Sequence, residues 1–297
     1  MELQQLRYVV AVAETGNFTR ASEQCNVSQP SLSQQIINLE KEVGHKLFHR
    51  LARKAVPTEA GTTFIDRAQR ILFEVESATK ELSDSPALER RITVGAIPTL
   101  APYLLPALIT RCKKRYPNLQ INVQEDFKSM ILRGVLDGEI DLAIVSLPVE
   151  ESRVHVEPLL KEPLLLAVGK SHPFAARTTV TPAELADQTF VMLGTMSSLT
   201  AQVKSFCGDH HFEPRIGFRC SQVATAKAIL ALGTSVSILP QVTRAPEDEA
   251  SLSFIKLADA DPFREIGVIR HMQRYQSRGA EQFLTLLRER AGELVAG

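Results

Sequence analysis

FTRASEQCNVSQPSLSQQIINLE, residues 18–40, reads as two short helices across a tight turn. In the first, Phe18, Ala21 and Cys25 recur at three- and four-residue spacing and share one face. Asn26-Val27-Ser28 interrupts that pattern. Ser28 can cap a second helix by accepting from amides two or three residues on. Pro30 is tolerated in that helix's first turn, where no intrahelical donor is lost. Leu32, Ile36 and Leu39 make the second buried stripe, and Gln29, Ser31, Ser33, Gln34, Gln35 and Asn38 the outward face. Short amides and hydroxyls both donate and accept, which suits base edges in a major groove. The same composition suits any solvated helix, so the neighbouring segments decide.

Residues 45–57 hold Lys46, Arg50, Arg53 and Lys54 with no acid between the first and the last. Leu47-Phe48 and Val56 look like anchors of two short strands, with Ala52-Arg53-Lys54 at their connection. A basic hairpin behind a helix-turn-helix is a wing able to reach phosphates or the minor groove. Thr58 then reads as the N-cap of a long helix to about Ser83, with Ala60, Phe64, Ala68, Ile71, Leu72, Val75 and Leu82 along one stripe. A second copy of the same helix is the expected cover for that stripe. The DNA-contact candidates are Gln29, Pro30, Ser31, Ser33 and Gln34 in the major groove, with Arg50 and Arg53 in the wing.

Charge does not mark the chain as a bulk polyanion binder. Its 297 residues carry 34 basic and 34 acidic side chains. Residues 1–58 hold seven Lys/Arg against five Glu, so affinity for DNA would come from a local patch multiplied by oligomerisation. No run of eighteen apolar residues suggests a membrane span, and MELQQLR does not read as a signal peptide. The cysteines at 25, 112, 207 and 220 form neither a CxxC pair nor a zinc-ligand spacing. A cytoplasmic protein with reduced thiols, no metal and no cofactor is the expectation. No P-loop, GxGxxG, GxSxG or HExxH is present, so no enzyme constellation emerges.

Beyond a hinge near residues 83–86, strands at 91–95, 119–124 and 141–145 alternate with helices at 100–116 and 129–136, a parallel βαβαβ pattern. A second region begins with a strand at 164–168. It continues through strands at 190–193, 215–220 and 236–240, with helices at 198–210 and 223–232. A strand at 265–269 and a helix at 280–295 return to the first region. The expected plan is a winged helix-turn-helix over 1–58, a linker helix over 59–89 and a two-lobed α/β domain over 90–297. Lobe I would span about 90–162 and 266–297, and lobe II about 163–265. Ligands of such sheets sit beyond strand C-termini, here in a cleft between lobes. Candidate effector residues are therefore Pro98, Thr99, Lys128, Ser146, Thr195, Ser197 and Ser198. Thr99 and Ser198 each lie where a helix N-terminus would favour an anion, and Lys128 would complement its charge.

The stretches LRYVVAVAETGNFTRAS (6–22), VSQPSLSQQI (27–36), LEKEVG (39–44), LFHR (47–50) and PTEAG (57–61) resemble the LysR family of bacterial transcriptional regulators. The resemblance implies double-stranded DNA as a partner, a homodimer assembling to a homotetramer, contact with RNA polymerase, and a periplasmic-binding-protein-like effector domain. Within that family IPTLAPYLLP (97–106), EPLLLAV (162–168) and VML…FC (191–207) are similar to the peroxide-sensing OxyR branch. That branch oxidises one cysteine and bonds it to a second. Cys207 matches the second, and the peroxidatic position falls on Ser198, whose hydroxyl cannot form a sulfenic acid. Thr99 matches a pocket threonine of the branch, while Lys128 and Gly217 stand where it typically has threonine and histidine.

Three readings remain open on sequence alone. One is a regulator responding to a small organic anion. Another is a redox-responsive regulator using Cys207 and Cys220. The third is a solute-binding module whose DNA head is vestigial.

Overall fold

The computed structural model describes residues 1–51, 54–82 and 91–296, and the chain folds as two compact units, Met1–Ser83 and Asp84–Gly297. In the first unit, α1 (Leu3–Thr15) ends at Gly16, whose φ of 63° is the left-handed conformation that glycine tolerates. Asn17 then starts α2 (Phe18–Gln24), its side-chain oxygen accepting from the amides of Thr19 and Arg20 at 2.8 and 3.1 Å. Ser28 caps α3 (Gln29–Val43) as the sequence predicts, accepting from the Ser31 amide at 3.3 Å with Pro30 in the first turn. Val9, Val12, Ala21, Leu32, Ile36 and Leu39 are fully buried where the three helices meet. Cys25, expected on that face, is only half-buried.

The wing is an antiparallel pair, β1 (Phe48–Leu51) and β2 (Lys54–Pro57), in register from Phe48↔Pro57 to Leu51↔Lys54. Ala52 and Arg53 lie outside the described residues. Leu47 and Phe48 anchor the wing, but Val56 does not. Strand alternation turns Ala55 inward and leaves Val56 exposed. The Thr58 hydroxyl accepts from the Gly61 amide at 2.9 Å and donates to the Lys46 carbonyl at 2.6 Å, so it caps α4 (Glu59–Leu82) and ties it to the wing root. Gly61 is required by close approach, because a Cβ there would stand 1.9 Å from the Leu47 carbonyl oxygen.

The second unit opens with β3 (Arg91–Ala96), α5 (Ala101–Arg115), β4 (Gln120–Glu125), α6 (Lys128–Asp137) and β5 (Leu142–Ser146), the three strands parallel in the order β4-β3-β5. It continues with β6 (Val154–Gly169), one strand that serves both lobes. Lobe II adds β7 (Thr179–Val180), α7 (Pro182–Leu185), β8 (Thr189–Leu193), α8 (Ser198–Asp209), β9 (Arg215–Cys220), α9 (Val223–Leu230), β10 (Val236–Pro240) and β11 (Leu252–Leu257). The chain returns through β12 (Phe263–His271) and ends in α10 (Arg278–Ala296). Residues 154–163 of β6 pair antiparallel with β12, and residues 164–169 pair with β10 and β11. The expected strand at 164–168 is thus only the second half of β6. The first half was missed because Pro158 and the polar His155 and Glu157 mask its period. The return crossing also precedes residue 266, since Phe263 already pairs with Pro163. Each lobe closes its own apolar core, one around Ile92, Ile144, Val268 and Phe283, the other around Leu166, Phe190, Val203 and Ile238.

Candidate DNA-reading face and effector cleft

The outer face of α3 presents Gln29, Pro30, Ser31 and Gln34 to solvent, with Ser33 half-buried on its flank. Gln34 donates to Asn38 at 3.0 Å, one turn on, while Gln35 is turned inward and accepts from Gln5 at 3.1 Å. Arg50, expected to contact DNA from the wing, reaches back to α3. Its Nη1 donates to Ser33 Oγ at 2.7 Å, and its guanidinium lies 4.7 Å over the Phe18 ring. Phe18 is itself held edge-on against Phe48, with ring centroids 6.0 Å apart.

Sequence reasoning missed the residue that locks the wing to α3. Glu40 is buried, and its carboxylate accepts from the Leu47 amide at 2.9 Å, the Phe48 amide at 3.4 Å and Lys46 Nζ at 2.9 Å. Burial opposes its ionisation, but those three donors outweigh burial and hold the carboxyl below its ordinary range. An acid in a charged stretch such as LEKE reads as solvated, so only the fold shows its role.

In the second unit the lobes meet over a cleft lined by Ile97, Pro98, Thr99 and Lys128 on one side and by Ser197, Ser198 and Ser221 on the other. Ser146, at the end of β5, is buried and donates its hydroxyl to Ser198 Oγ at 2.8 Å, the first residue of α8. Ser197 precedes α8 without capping it through its side chain. Thr195 is exposed, and neither it nor Gly217 is among the residues lining the cleft. The Lys128 ammonium is half-buried and donates to the Pro148 carbonyl. Burial lowers its pKa, against the charge of Glu150. Water can enter only about 20 Å³ of the cleft, room for a water or two.

Thr99 departs from its expected place at a helix N-terminus. α5 starts two residues later, after Leu100, and the Thr99 hydroxyl accepts from Arg264 Nη1 at 2.7 Å. Arg264 Nη2 also donates to the Thr99 carbonyl at 3.2 Å, and Nε donates to Glu162 at 2.7 Å. Glu162 completes the set by accepting from the Val242 amide at 2.7 Å. Glu162 and Arg264 sit where β6 and β12 pass between lobes, so one buried ion pair joins both crossings to the cleft wall. Burial lowers the Arg264 pKa, and the Glu162 charge and hydrogen bond oppose that shift. Charged residues at strand ends are ordinarily solvated, which hid this pair from the sequence reading.

The redox candidates lie elsewhere. Cys207 is fully buried in α8, where desolvation pushes its thiol up to about 12, and Cys220 is buried at the end of β9 with its pKa also raised by burial. Such thiols are weak nucleophiles at neutral pH. No disulfide joins any of the four cysteines.

A winged helix-turn-helix joined to a two-lobed α/β domain defines a DNA-binding transcriptional regulator with an effector-binding domain. Residues 3–62 match the bacterial regulatory helix-turn-helix protein family of lysR type, and residues 86–292 match the LysR substrate binding domain. The chain belongs to the LysR family of transcriptional regulators. It is 34% identical over 273 residues to the DNA-binding transcriptional dual regulator OxyR of Escherichia coli K12, which spans 91% of this chain and 89% of that protein. A full-length OxyR variant from Pseudomonas aeruginosa, with aspartate in place of one cysteine, superposes with a TM-score of 0.71 at 27% identity, covering 98% of this chain and 94% of that one. Full-length CbnR in complex with its target DNA superposes at 0.57, with 26% identity over 98% of this chain and all of that one.

Proposed function

We propose that the chain is an anion-responsive rather than peroxide-responsive regulator, acting in the cytoplasm. The observation that carries this reading is the hydroxyl pair Ser146–Ser198 across the cleft, beside the Lys128 ammonium, where a peroxide switch needs a reactive thiol. A small carboxylate would replace the serine–serine bond, accepting from both hydroxyls, with Lys128 supplying the counter-charge. The Ser146–Ser198 bond closes that part of the cleft, so a ligand taking both hydroxyls parts the lobes at this contact.

α3, through Gln29, Pro30, Ser31, Ser33 and Gln34, reads the major groove, and the basic charge of the wing sequence, Arg53 included, serves the DNA backbone or minor groove. α4 pairs with its copy. Its first half is covered by its own unit at Ile65 and Ala68, whereas Ile71 and Val75 further along stay exposed. Dimers assemble to a tetramer, and lobe movement alters the spacing of recognition helices and so the bend of DNA presented to RNA polymerase.

The test is thermal unfolding of the full chain with small carboxylates or inorganic phosphate, against a hydrogen peroxide arm. A carboxylate at a hundred times its Kd should stabilise by about 2.7 kcal/mol, and Lys128→Met should abolish the shift. Peroxide should leave the thiols free. A Cys207–Cys220 disulfide that changes DNA affinity, with no anion shifting the midpoint, would overturn the proposal.

A further inference from the structure

We infer that Arg50 is a base-reading residue rather than a phosphate contact, and that Phe18 and Ser33 are its positioning residues. The inference rests on α3 being the reading helix and supplies a cation to its first ten residues, Gln29–Asn38, which carry none. Three observations converge. The Arg50 guanidinium is fixed on one edge by Ser33 Oγ at 2.7 Å and on one face by the Phe18 ring at 4.7 Å. Phe18 is in turn fixed by its edge-on contact with Phe48, two residues before Arg50 in β1. Ser33 lies one turn beyond Gln29 and Pro30 and next to Gln34, so the guanidinium is delivered to the flank of the exposed polar face.

A paired guanidinium edge suits a phosphate as well as a base, and what points to a base is that Ser33 holds the edge on the flank of the reading face. A guanidinium held over an aromatic ring and hydrogen-bonded through Nη1 has lost much of its rotamer freedom, and its Nε and Nη2 edge can serve a paired acceptor. N7 and O6 of guanine form such an acceptor in the major groove. The Ser33 hydroxyl, having accepted from Arg50, still carries its own proton to donate to a neighbouring acceptor. Arg50 and Ser33 therefore act as one reading unit. Ser33 belongs to it less as an independent contact than as the bracket that aims the arginine.

The experiment selects duplexes from a randomised library with the full-length wild type, Arg50→Ala, Arg50→Lys, Phe18→Leu and Gln34→Ala, then measures binding to the wild-type consensus and to a scrambled duplex across salt. Arg50→Ala and Arg50→Lys should bind the consensus roughly ten- to hundredfold more weakly, select a consensus degenerate at one symmetry-related pair of positions, and leave the scrambled duplex within about threefold. Phe18→Leu keeps apolar volume but no ring face. It should reproduce part of that loss, and Arg50→Ala should cost less in its background than in wild type.

An unchanged consensus with uniformly weaker binding and a salt slope lower by about one per subunit would make Arg50 a phosphate contact and overturn the inference. So would a lowered melting midpoint with an unchanged consensus, which would make it a structural brace. Gln34→Ala separates this failure from failure of the α3 reading. If Gln34→Ala shifts the consensus and Arg50→Ala does not, only Arg50 is misassigned. If neither shifts it, or wild type enriches nothing, the reading helix is misassigned as well.

Discussion

Truncating Glu162 to alanine should be among the most damaging single changes available in the effector domain. Glu162 and Arg264 are 5% and 1% exposed, and Thr99, which takes two of the arginine's donors, is 3% exposed. Removing the carboxylate leaves a guanidinium that cannot shed its charge, facing only the two neutral oxygens of Thr99. Losing one partner of a buried ion pair typically costs about 3–5 kcal/mol. The Val242 amide loses its acceptor too, worth about 1–3 kcal/mol where no water replaces it. Water entering the vacated space offsets part of both, so about 3–5 kcal/mol is the expected total.

The paired replacement Glu162→Gln with Arg264→Met removes both charges while keeping an acceptor for Val242. It should recover to within about 2 kcal/mol of wild type. The chain has no tryptophan, so urea unfolding is followed by far-ultraviolet circular dichroism, with hydrogen exchange on residues 236–246 reporting the Val242 amide. A Glu162→Ala chain within about 1 kcal/mol of wild type, with Val242 still protected, would refute the claim that this pair ties the two crossings together. The double variant also probes function. If Arg264 orients Thr99 at the cleft wall, effector affinity should fall even where stability is regained.

Glu40→Gln keeps an acceptor for the wing-root amides but loses its charge, and should destabilise the N-terminal unit by about 1–3 kcal/mol at pH 7. The Glu40 carboxyl has a lowered folded-state pKa, so its stabilisation is complete above the unfolded value, about 4.3, and is lost as pH falls through the folded one. The wild-type advantage over Glu40→Gln, read from thermal unfolding, should therefore be flat from neutral pH to about 5 and shrink below about 4.3. An advantage that instead grew on acidification would contradict the carboxylate's role. Cys207, with its thiol pushed up to about 12, should resist a thiol reagent at pH 8 in the native chain, since its thiolate fraction is roughly one in ten thousand. Mass spectrometry showing it labelled as fast in buffer as in denaturant would mean that its burial is misjudged.

Local chemistry made the N-terminal unit legible. Helix caps at Ser28 and Thr58 act over three residues, and amphipathic spacing marks the stripe of Leu32, Ile36 and Leu39, so the sequence predicts them without knowing what they pack against. Val56 shows the limit of the same reasoning. A single apolar residue in a four-residue strand does not reveal which way the strand faces. In the effector domain most strands were visible as short apolar runs. The first half of β6 was not, because it carries polar residues along much of its length.

By itself the sequence determined where the helices capped by Ser28 and Thr58 start, that a basic hairpin follows α3, and that a serine occupies position 198 in place of a thiol, since each is a matter of residue type and near neighbours. Only the tertiary structure decided what the charged groups do. Glu40 reaches from α3 to the wing, Arg50 from the wing back to α3, and Arg264 from one crossing strand to the other and on to Thr99. These partners lie 7, 17, 102 and 165 residues apart in the chain. No periodicity carries a contact across such separations. A charged side chain reads as solvated until the fold removes the water and supplies its partner.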